Sequence, residues 1–450
     1  MADKNIKILF AASEAEPLIK VGGLGDVLGS LPKALYGRGY ETAVILPLYE
    51  PLLKERGRFK LLGRKIFIRG KRAKESVSLY ETKLPRSAVK VFLVENKRYL
   101  SGGGVYFSKT AIASHREEIE RFRFFSEAVY QLIRNGILPF KPQLVHANDW
   151  HTGHLVRLLG EESLGVGTVF TVHNLANQGA RGKENYMAEG IKFSDVVTTV
   201  SRTYAREILT PEYGFGLDRI LRRRKKIIGI LNGIDFDSLP KVPASKDAEK
   251  LKLQKLLHLD PGLSRPLFAF VARLTDQKGV RFLLSLAPRL VVNFEAQFIF
   301  LGTGEEALEA ALMGLAKSFP GQVAVRIGFD EPLAGKIYAG SDFFLMPSLY
   351  EPCGLGQMIA MHYGTIPIAR KTGGLADSIK DGETGFLFEG KNDIALFEAA
   401  ARALDVFGDF AGLKRMQARA KQESFSWKLQ AAEYRKVYRA ALYAQKRRAA

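Results

Sequence analysis

Short apolar and β-branched runs, each followed by a turn and a helix-like stretch, recur along this chain, and that alternation constrains the fold more than any other feature. Ile6–Ala11 reads as a strand that leads through a Gly-rich turn into a helix ending near Gly37, and Tyr40–Leu46 reads as the next strand. Val89–Val94, Leu144–His146, Thr168–His173 and Val196–Val200 are further strand candidates, with helix-like stretches such as Glu117–Arg134 between them. Strands joined through helices run mainly parallel, because each helix returns the chain to the same end of the sheet, and the helices cover both faces. Polar, charged and Pro-containing Lys241–Lys250 interrupts the pattern and is the expected interdomain linker. Alternation then resumes with Leu267–Ala272, Gln297–Leu301, Val323–Ile327, Phe343–Pro347 and Thr365–Ala369, and a basic, helix-like segment closes the chain from about Ser426. A length of 450 residues exceeds one ordinary core. The expected division is 1–240, 241–425 and a terminal helix over 426–450: an α/β protein with two Rossmann-like, doubly wound domains.

An internal echo supports two related halves. Lys20-Val-Gly-Gly-Leu-Gly-Asp26 and Lys371-Thr-Gly-Gly-Leu-Ala-Asp377 share Lys-x-Gly-Gly-Leu-x-Asp, each after an expected strand and at the start of a helix. In such sheets ligands sit beyond the carboxyl ends of the strands, where these loops fall, so two domains facing each other across a cleft are expected. Gly22 and Gly23 let the backbone approach an anion, the free amides of a helix start point at it, and Lys20 adds a point charge. The plainer reading of that loop is a tight strand–helix turn with an ordinary lysine. In Val271-Ala-Arg273-Leu-Thr-Asp-Gln-Lys278-Gly, two cations five residues apart straddle a turn, which suits a diphosphate leaving group that gains negative charge as its bond breaks. In Tyr350-Glu351-Pro-Cys353-Gly354-Leu355-Gly356, a carboxylate precedes a turn whose amides can face a sugar phosphate.

Composition removes several function classes. The one cysteine, Cys353, permits neither an intrachain disulfide nor a Cys-based metal cluster. His146, His151 and His154 lie close in sequence without a Cys or H-E-x-x-H pattern beside them, and no metal site is expected. The formal net charge is +20, yet the basic runs Arg222–Lys226 and Lys446–Arg448 are not interleaved with stacking aromatics, so a solvated basic surface is expected and not a nucleic-acid partner. The apolar stretches stay short of a membrane span, and Glu14, Glu16 and Lys20 interrupt the first strand region where a leader would need an apolar run, so a cytoplasmic protein is expected.

Taken in order, these blocks resemble glycogen and starch synthases of the bacterial type. Lys20–Val27 is similar to the amino-terminal signature of that family. Asn148-Asp-Trp-His-Thr-Gly153, Thr171-Val-His-Asn-Leu-Ala-Asn-Gln-Gly179, Leu231-Asn-Gly-Ile-Asp235, Ala272–Gly279, Glu351–Leu355 and Thr372–Asp377 are similar to its later blocks. The resemblance runs from about residue 6 to 390 and is weaker near 51–115. It implies the GT-B fold, with the final helix crossing back to the first domain, and a retaining transferase that needs no metal or other cofactor. The implied partners are ADP-glucose as donor and an α-1,4-glucan (glycogen) as acceptor. Carried over residue by residue, Arg273 and Lys278 hold the donor diphosphate, assisted by Lys20 and the Gly22–Gly23 loop, and Glu351 contacts the glucosyl hydroxyls. The amides after Cys353, at Gly354 and Leu355, contact the sugar phosphate. His173 and Asn232 bind the glucose 6-hydroxyl, Asp149 and Asp26 lie on the acceptor side, and Phe329 lies against the nucleotide base.

Retention by double displacement needs a carboxylate on the far face of the sugar, and none of the mapped blocks offers one, so front-face attack is expected. The plainer alternatives, weighed below the functional readings, are a helix cap for Asp149 beside Trp150 and plain core for Phe329. Asp235-Phe-Asp237 matches the D-x-D of metal-dependent transferases but falls in the Asn-Gly-Ile-Asp turn. The chain departs from the family in lacking a tryptophan after that turn, in Gly356, and in Ser101–His115. The rival readings are another retaining GT-B transferase with a different acceptor, opposed by Ile359 where many carry a second glutamate, and a non-catalytic sugar-nucleotide-binding protein.

Overall fold

The computed structural model describes residues 5–69, 74–106, 112–162, 164–179, 184–224 and 226–449. Met1–Lys4, residue 225 of one basic run and residues 107–111 of the segment Ser101–His115 therefore lie outside the described residues. Two compact units form, Met1–Gly233 with Trp427–Ala450, and Ile234–Ser426. The break falls seven residues before the expected position at 240, since the second unit begins at Ile234.

The strands of the first unit are β1 (Lys7–Ala11), β2 (Glu41–Pro47), β3 (Lys60–Arg69), β4 (Lys74–Lys83), β5 (Lys90–Glu95), β6 (Leu144–Asn148), β7 (Gly167–Val172), β8 (Val196–Thr199) and β9 (Ile227–Gly229). They form one sheet in the order β3-β4-β5-β2-β1-β6-β7-β8-β9. All pairs are parallel except β3–β4 and β4–β5. The antiparallel hairpin was not expected from the sequence. Its edge strand β3 is interrupted at Gly63–Ile66, with Lys65 at φ 52, the kind of bulge that breaks a clean two-residue alternation.

The terminal helix Trp427–Ala449 belongs to this first unit because of a stripe on one face. Trp427, Ala431, Tyr434, Tyr438 and Ala441 recur at intervals of three and four, and all are buried in the core that contains Ile8, Phe10 and Leu144. Tyr438 OH meets His146 Nδ1 at 3.0 Å, and Arg448 pairs with Asp195 at 3.2 Å.

In the second unit the strands are β10 (Leu267–Val271), β11 (Gln297–Gly302), β12 (Val323–Ile327), β13 (Phe343–Met346), β14 (Ile366–Arg370) and β15 (Phe386–Phe388). The order is β12-β11-β10-β13-β14-β15, parallel throughout, which in chain order reads 3-2-1-4-5-6, that of a dinucleotide-binding sheet. Phe268 stacks on Phe298 and Phe343, with ring centroids 5.2 and 5.0 Å away. The expected linker is only partly extended: Ser245 accepts a hydrogen bond from Ala248 N at 3.2 Å and starts the helix Lys246–Leu256. That helix is fixed by a buried ion pair, Lys250 Nζ to Asp342 at 2.7 Å, beside the start of β13.

Each sheet reverses its winding direction at one point: between β1 and β6 in the first, and between β10 and β13 in the second. Beyond the carboxyl ends of those strands the sheet leaves a crevice, because the following helices turn to opposite faces.

Candidate active site

In the second unit the crevice is lined from both sides. Arg273 and Lys278 follow β10, and Glu351 follows β13. Lys278 Nζ lies 2.5 Å from Glu351 Oε2, although 73 residues separate them, and Ser348 Oγ donates to the same oxygen at 3.0 Å. Arg273 is exposed and, among the described residues, its side chain reaches only Gln277 Oε1, at 3.4 Å, so its guanidinium remains available at the rim. Backbone contacts lock the two turns together. Leu349 N donates to Gln277 O at 2.8 Å, and Gly279, at φ 74, sits where a Cβ would come 2.2 Å from Pro347 O.

The second Gly-Gly loop supports this turn from below. A Cβ on Gly373 would fall 1.9 Å from Glu351 O, and one on Gly374 would fall 2.0 Å from Cys353 O. These glycines allow backbone to lie on backbone, and Gly374 N donates to Glu351 O at 3.0 Å. Arg370, also buried, donates from Nε to Ser348 O at 2.8 Å and from its terminal nitrogen to Leu349 O. Cys353 is buried, and its carbonyl accepts from Gln357 Nε2 at 3.2 Å. Gly354, Leu355 and Gly356 lead into the helix Gly356–His362, whose first amides have no acceptor within it. Phe329, just past β12, is 84% exposed and is not part of the core.

At the corresponding crevice of the first unit lies the Gly-rich loop that follows β1. Val21 N and Gly22 N, just ahead of the helix Gly23–Tyr36, donate to Glu14 Oε2 at 2.6 and 2.9 Å, so the chain's own carboxylate holds these two loop amides. Tyr106 OH donates to the other oxygen at 3.0 Å, and burial raises the Glu14 carboxyl above its usual range. Lys20 Nζ bridges Asp26 Oδ1 at 2.7 Å and Glu16 Oε2 at 3.1 Å. Asp26 is pushed up to about 7, by burial first and then by its hydrogen bond with Glu16. Lys20, Gly22, Gly23 and Asp26 are thus together, with Glu14 as the member that sequence reasoning missed.

Asp149 follows β6 at φ 56, a conformation costly for a residue with a Cβ. It does not cap the short helical turn Trp150–Thr152; its Oδ1 accepts from His173 N at 2.7 Å and from Asn174 N at 3.4 Å. Burial pushes its carboxyl up to about 7, partly offset by those two amides. His173 follows β7, and its Nε2 lies 3.0 Å from Asn148 Oδ1. Asn148 gives its amide hydrogens to Ala11 O and His146 O, so the oxygen faces the imidazole and His173 carries its hydrogen on Nε2. Burial pushes the ring down to about 3, so it is neutral at pH 7 and Nδ1 can accept a hydrogen bond. Asn232, past the end of β9, is 6% exposed, and its Oδ1 is buried without a hydrogen-bond partner among the described residues. A buried acceptor left open in this way fits a hydroxyl donor from a ligand.

Two other histidines are bound up in the packing of the first unit. His146 sits between Tyr438 and Thr171, and His154 Nδ1 pairs with Glu189 at 2.8 Å. No described helix is long and apolar enough to cross a membrane.

Comparison with known proteins matches residues 7–223 to the starch synthase catalytic domain and residues 265–405 to glycosyl transferases group 1. The chain is 40% identical to a glycogen synthase of Geotalea daltonii, covering 97% of this chain and 99% of that protein. It is 37% identical to glycogen synthase 2 of Nitrosococcus oceani over 96% of both. Among solved structures, the catalytic domain of starch synthase IV from Arabidopsis thaliana, bound to ADP and acarbose, superposes with a TM-score of 0.86 at 30% identity, covering 98% of this chain and all of that one. A sucrose-phosphate synthase from Thermosynechococcus elongatus, 19% identical with a TM-score of 0.66, shares the fold. With strand order, crevice residues and whole-chain similarity in agreement, the protein belongs to the glycogen and starch synthase family: it is a GT-B glucosyltransferase of glycogen synthesis.

Proposed function

We propose that the protein transfers glucose from ADP-glucose to the non-reducing 4-hydroxyl of an α-1,4-glucan with retention at the anomeric carbon, without a metal or other cofactor, in the cytoplasm. The observation that supports it most is the cation–carboxylate pair Lys278–Glu351 beside Arg273, at the crevice of a sheet with dinucleotide-binding strand order. In this reading Lys278 and Arg273 bind the donor diphosphate, and the amides of Gly354 and Leu355 bind the sugar-linked phosphate. Glu351 accepts from glucosyl hydroxyls, and the exposed ring of Phe329 stacks on the base. The neutral His173 Nδ1 and the open Asn232 Oδ1 both accept from glucose hydroxyls, which suits an uncharged sugar. Asp149 sets the His173 backbone, Lys20 with the Gly22–Gly23 loop assists at the donor diphosphate, and Asp149 and Asp26 lie on the acceptor side.

The bond from the anomeric carbon to the phosphate oxygen breaks, and that oxygen takes the proton of the acceptor 4-hydroxyl. The acceptor oxygen then bonds to the anomeric carbon on the same face, giving ADP and a glucan longer by one glucose. Charge accumulates on the departing diphosphate, where fixed cations stabilise it most. The test is incubation of purified protein and glycogen with labelled ADP-glucose or UDP-glucose, with EDTA present, followed by digestion of the product with an α-1,4-specific glucosidase. Label entering polymer from ADP-glucose, and released by that digestion, is expected. Transfer only from UDP-glucose refutes the donor, loss of transfer on adding EDTA refutes the metal-free mechanism, and no transfer from either donor refutes the reading.

A further inference from the structure

A second cationic site lies within the Ile234–Ser426 unit, at the opposite edge of its sheet from Arg273, Lys278 and Glu351. There a cavity of about 320 Å³ opens between the start of the helix Lys246–Leu256 and the helix Phe410–Gln422, lined by Ser245, Lys246, Lys414, Gln417 and Lys421 among others. Thr365, which immediately precedes β14, accepts from Lys246 Nζ at 2.6 Å, so the cavity faces the amino ends of the strands. The catalytic crevice faces their carboxyl ends, a strand length or about 16 Å away.

Four features make this a built site. First, ammonium groups outnumber carboxylates: Asp247 pairs with Lys414 at 3.1 Å, while Lys421 has no carboxylate partner among the described residues. Second, Lys246 Nζ is held in place by Thr365 and by Ala339 O at 3.1 Å, with no carboxylate bonded to it. Burial pushes this ammonium down to about 7; Asp342 opposes the shift, and Lys421, Lys414 and Lys250 add to it. Third, Ser245 Oγ occupies the Ala248 amide, leaving the Lys246 and Asp247 amides at the helix start without acceptors inside the helix. Fourth, Gln417 is only 6% exposed and lines the cavity, and its carboxamide makes no hydrogen bond among the described residues. The amide of a largely buried residue, left open to the cavity beside crowded ammonium groups and a helix start, forms with them a donor set suited to an anion.

We propose that this cavity binds a small phosphate dianion, as inorganic phosphate or a phosphomonoester, with Lys421 and Lys246 as cations and the Gln417 amide as directional donor. A tetrahedral oxyanion accepts from point charges, an NH2 group and helix amides together, and the cavity has room for a small substituent on the phosphate. The site is independent of the donor reading, because none of its residues belongs to that crevice.

The experiment is titration calorimetry on the full chain with inorganic phosphate and, separately, glycerol phosphate, in wild type and in Lys421→Gln, Gln417→Leu and Lys278→Ala. Lys421→Gln keeps the aliphatic stem that packs near Gly364, and thermal melting checks that each variant is folded. Saturable binding is expected, weakened about tenfold or more by Lys421→Gln and by Gln417→Leu and unchanged by Lys278→Ala. The tighter of the two probes identifies whether free phosphate or a monoester is the better occupant. Absence of saturable binding of both overturns the proposal. So does binding that survives Lys421→Gln and Gln417→Leu but disappears in Lys278→Ala, since the phosphate then occupies the catalytic crevice.

Discussion

Removing the ammonium of Lys278 separates a structural from a chemical contribution at one bond. Its side chain is 16% exposed and that of Glu351 is 8% exposed, so both ends of the pair are largely withdrawn from water. In Lys278→Ala, Glu351 keeps, among the described residues, only the Ser348 hydroxyl as a side-chain donor. Leaving one partner of a buried pair unpaired costs about 3–5 kcal/mol, and the residual exposure here points to the lower end, about 3 kcal/mol. Glu351→Gln should cost less, about 1–2 kcal/mol, because the lysine stem can carry its charge toward solvent. In the double variant the unpaired carboxylate is gone, so its destabilisation should fall below the sum of the two by about 1–2 kcal/mol. Urea unfolding of the four proteins closes this cycle.

Turnover provides the chemical half. A fixed cation that meets growing charge on a leaving diphosphate contributes about 10²–10³ in rate, and Lys278→Ala should lose that in kcat with the fold retained. Arg273→Ala, at an exposed residue, should lose a comparable factor with almost no loss of stability. The assay is label transferred to glycogen at saturating donor. Near-normal turnover in both variants would remove the assigned roles, and additive stabilities in the cycle would mean that the 2.5 Å contact is not an energetic pair.

Other perturbations follow from single observations. Asp149→Asn keeps an acceptor for the His173 amide but removes a carboxyl raised by burial to about 7. A raised carboxyl favours the fold while protonated and loses that contribution as pH rises through 7. Stability of the wild type between pH 6 and 8 should therefore fall by about 1.4 kcal/mol more than that of Asp149→Asn in urea titrations; parallel slopes would contradict the shift. Asn232→Leu removes a buried oxygen with no partner among the described residues, so the melting temperature should hold or rise while kcat/KM falls by about tenfold or more; a lower melting temperature with normal kinetics would reverse the assignment. Gly374→Ala puts a methyl group 2.0 Å from Cys353 O and should displace the Glu351 turn, lowering turnover by about 10² in a folded protein by circular dichroism. Phe329→Ala, at a residue 84% exposed, should leave stability unchanged and raise the donor KM about tenfold, with an unchanged KM refuting the stacking role.

Much of this was legible in the sequence because parallel strands buried on both faces are written as short unbroken apolar runs. Leu267-Phe-Ala-Phe-Val271 and Phe343-Phe-Leu-Met346 are such runs, and the residues just past them are where a doubly wound sheet binds ligands. That is why Arg273, Lys278 and Glu351 could be grouped before any contact was known. The hairpin β3–β4 was not legible, since its bulge at Gly63–Ile66 breaks the alternation. Neither was the helix Lys246–Leu256, whose charged composition reads as a linker. Its stability comes from the Ser245 cap and from Lys250, which finds Asp342 some 92 residues later in the chain. A lysine that will be buried looks the same in sequence as one that will be solvated.

The two Gly-Gly loops sharpen that point. They share Lys-x-Gly-Gly-Leu-x-Asp, and the shared letters suggest shared chemistry. In the first loop the amides of Val21 and Gly22 hold Glu14, and Lys20, ahead of the helix, pairs with Asp26 in its first turn. In the second, Gly373 and Gly374 lie against the carbonyls of Glu351 and Cys353, and Lys371 points away to Glu389 at 2.8 Å. The first set of glycines exposes amides, and the second set removes side chains. What the repeated letters encode is therefore a place in the fold, a tight entry into a helix at the carboxyl edge of a sheet, and the chemistry done there depends on residues outside the repeat. Glu14 and Glu351 are those residues, and only their positions in space connect them to the glycines.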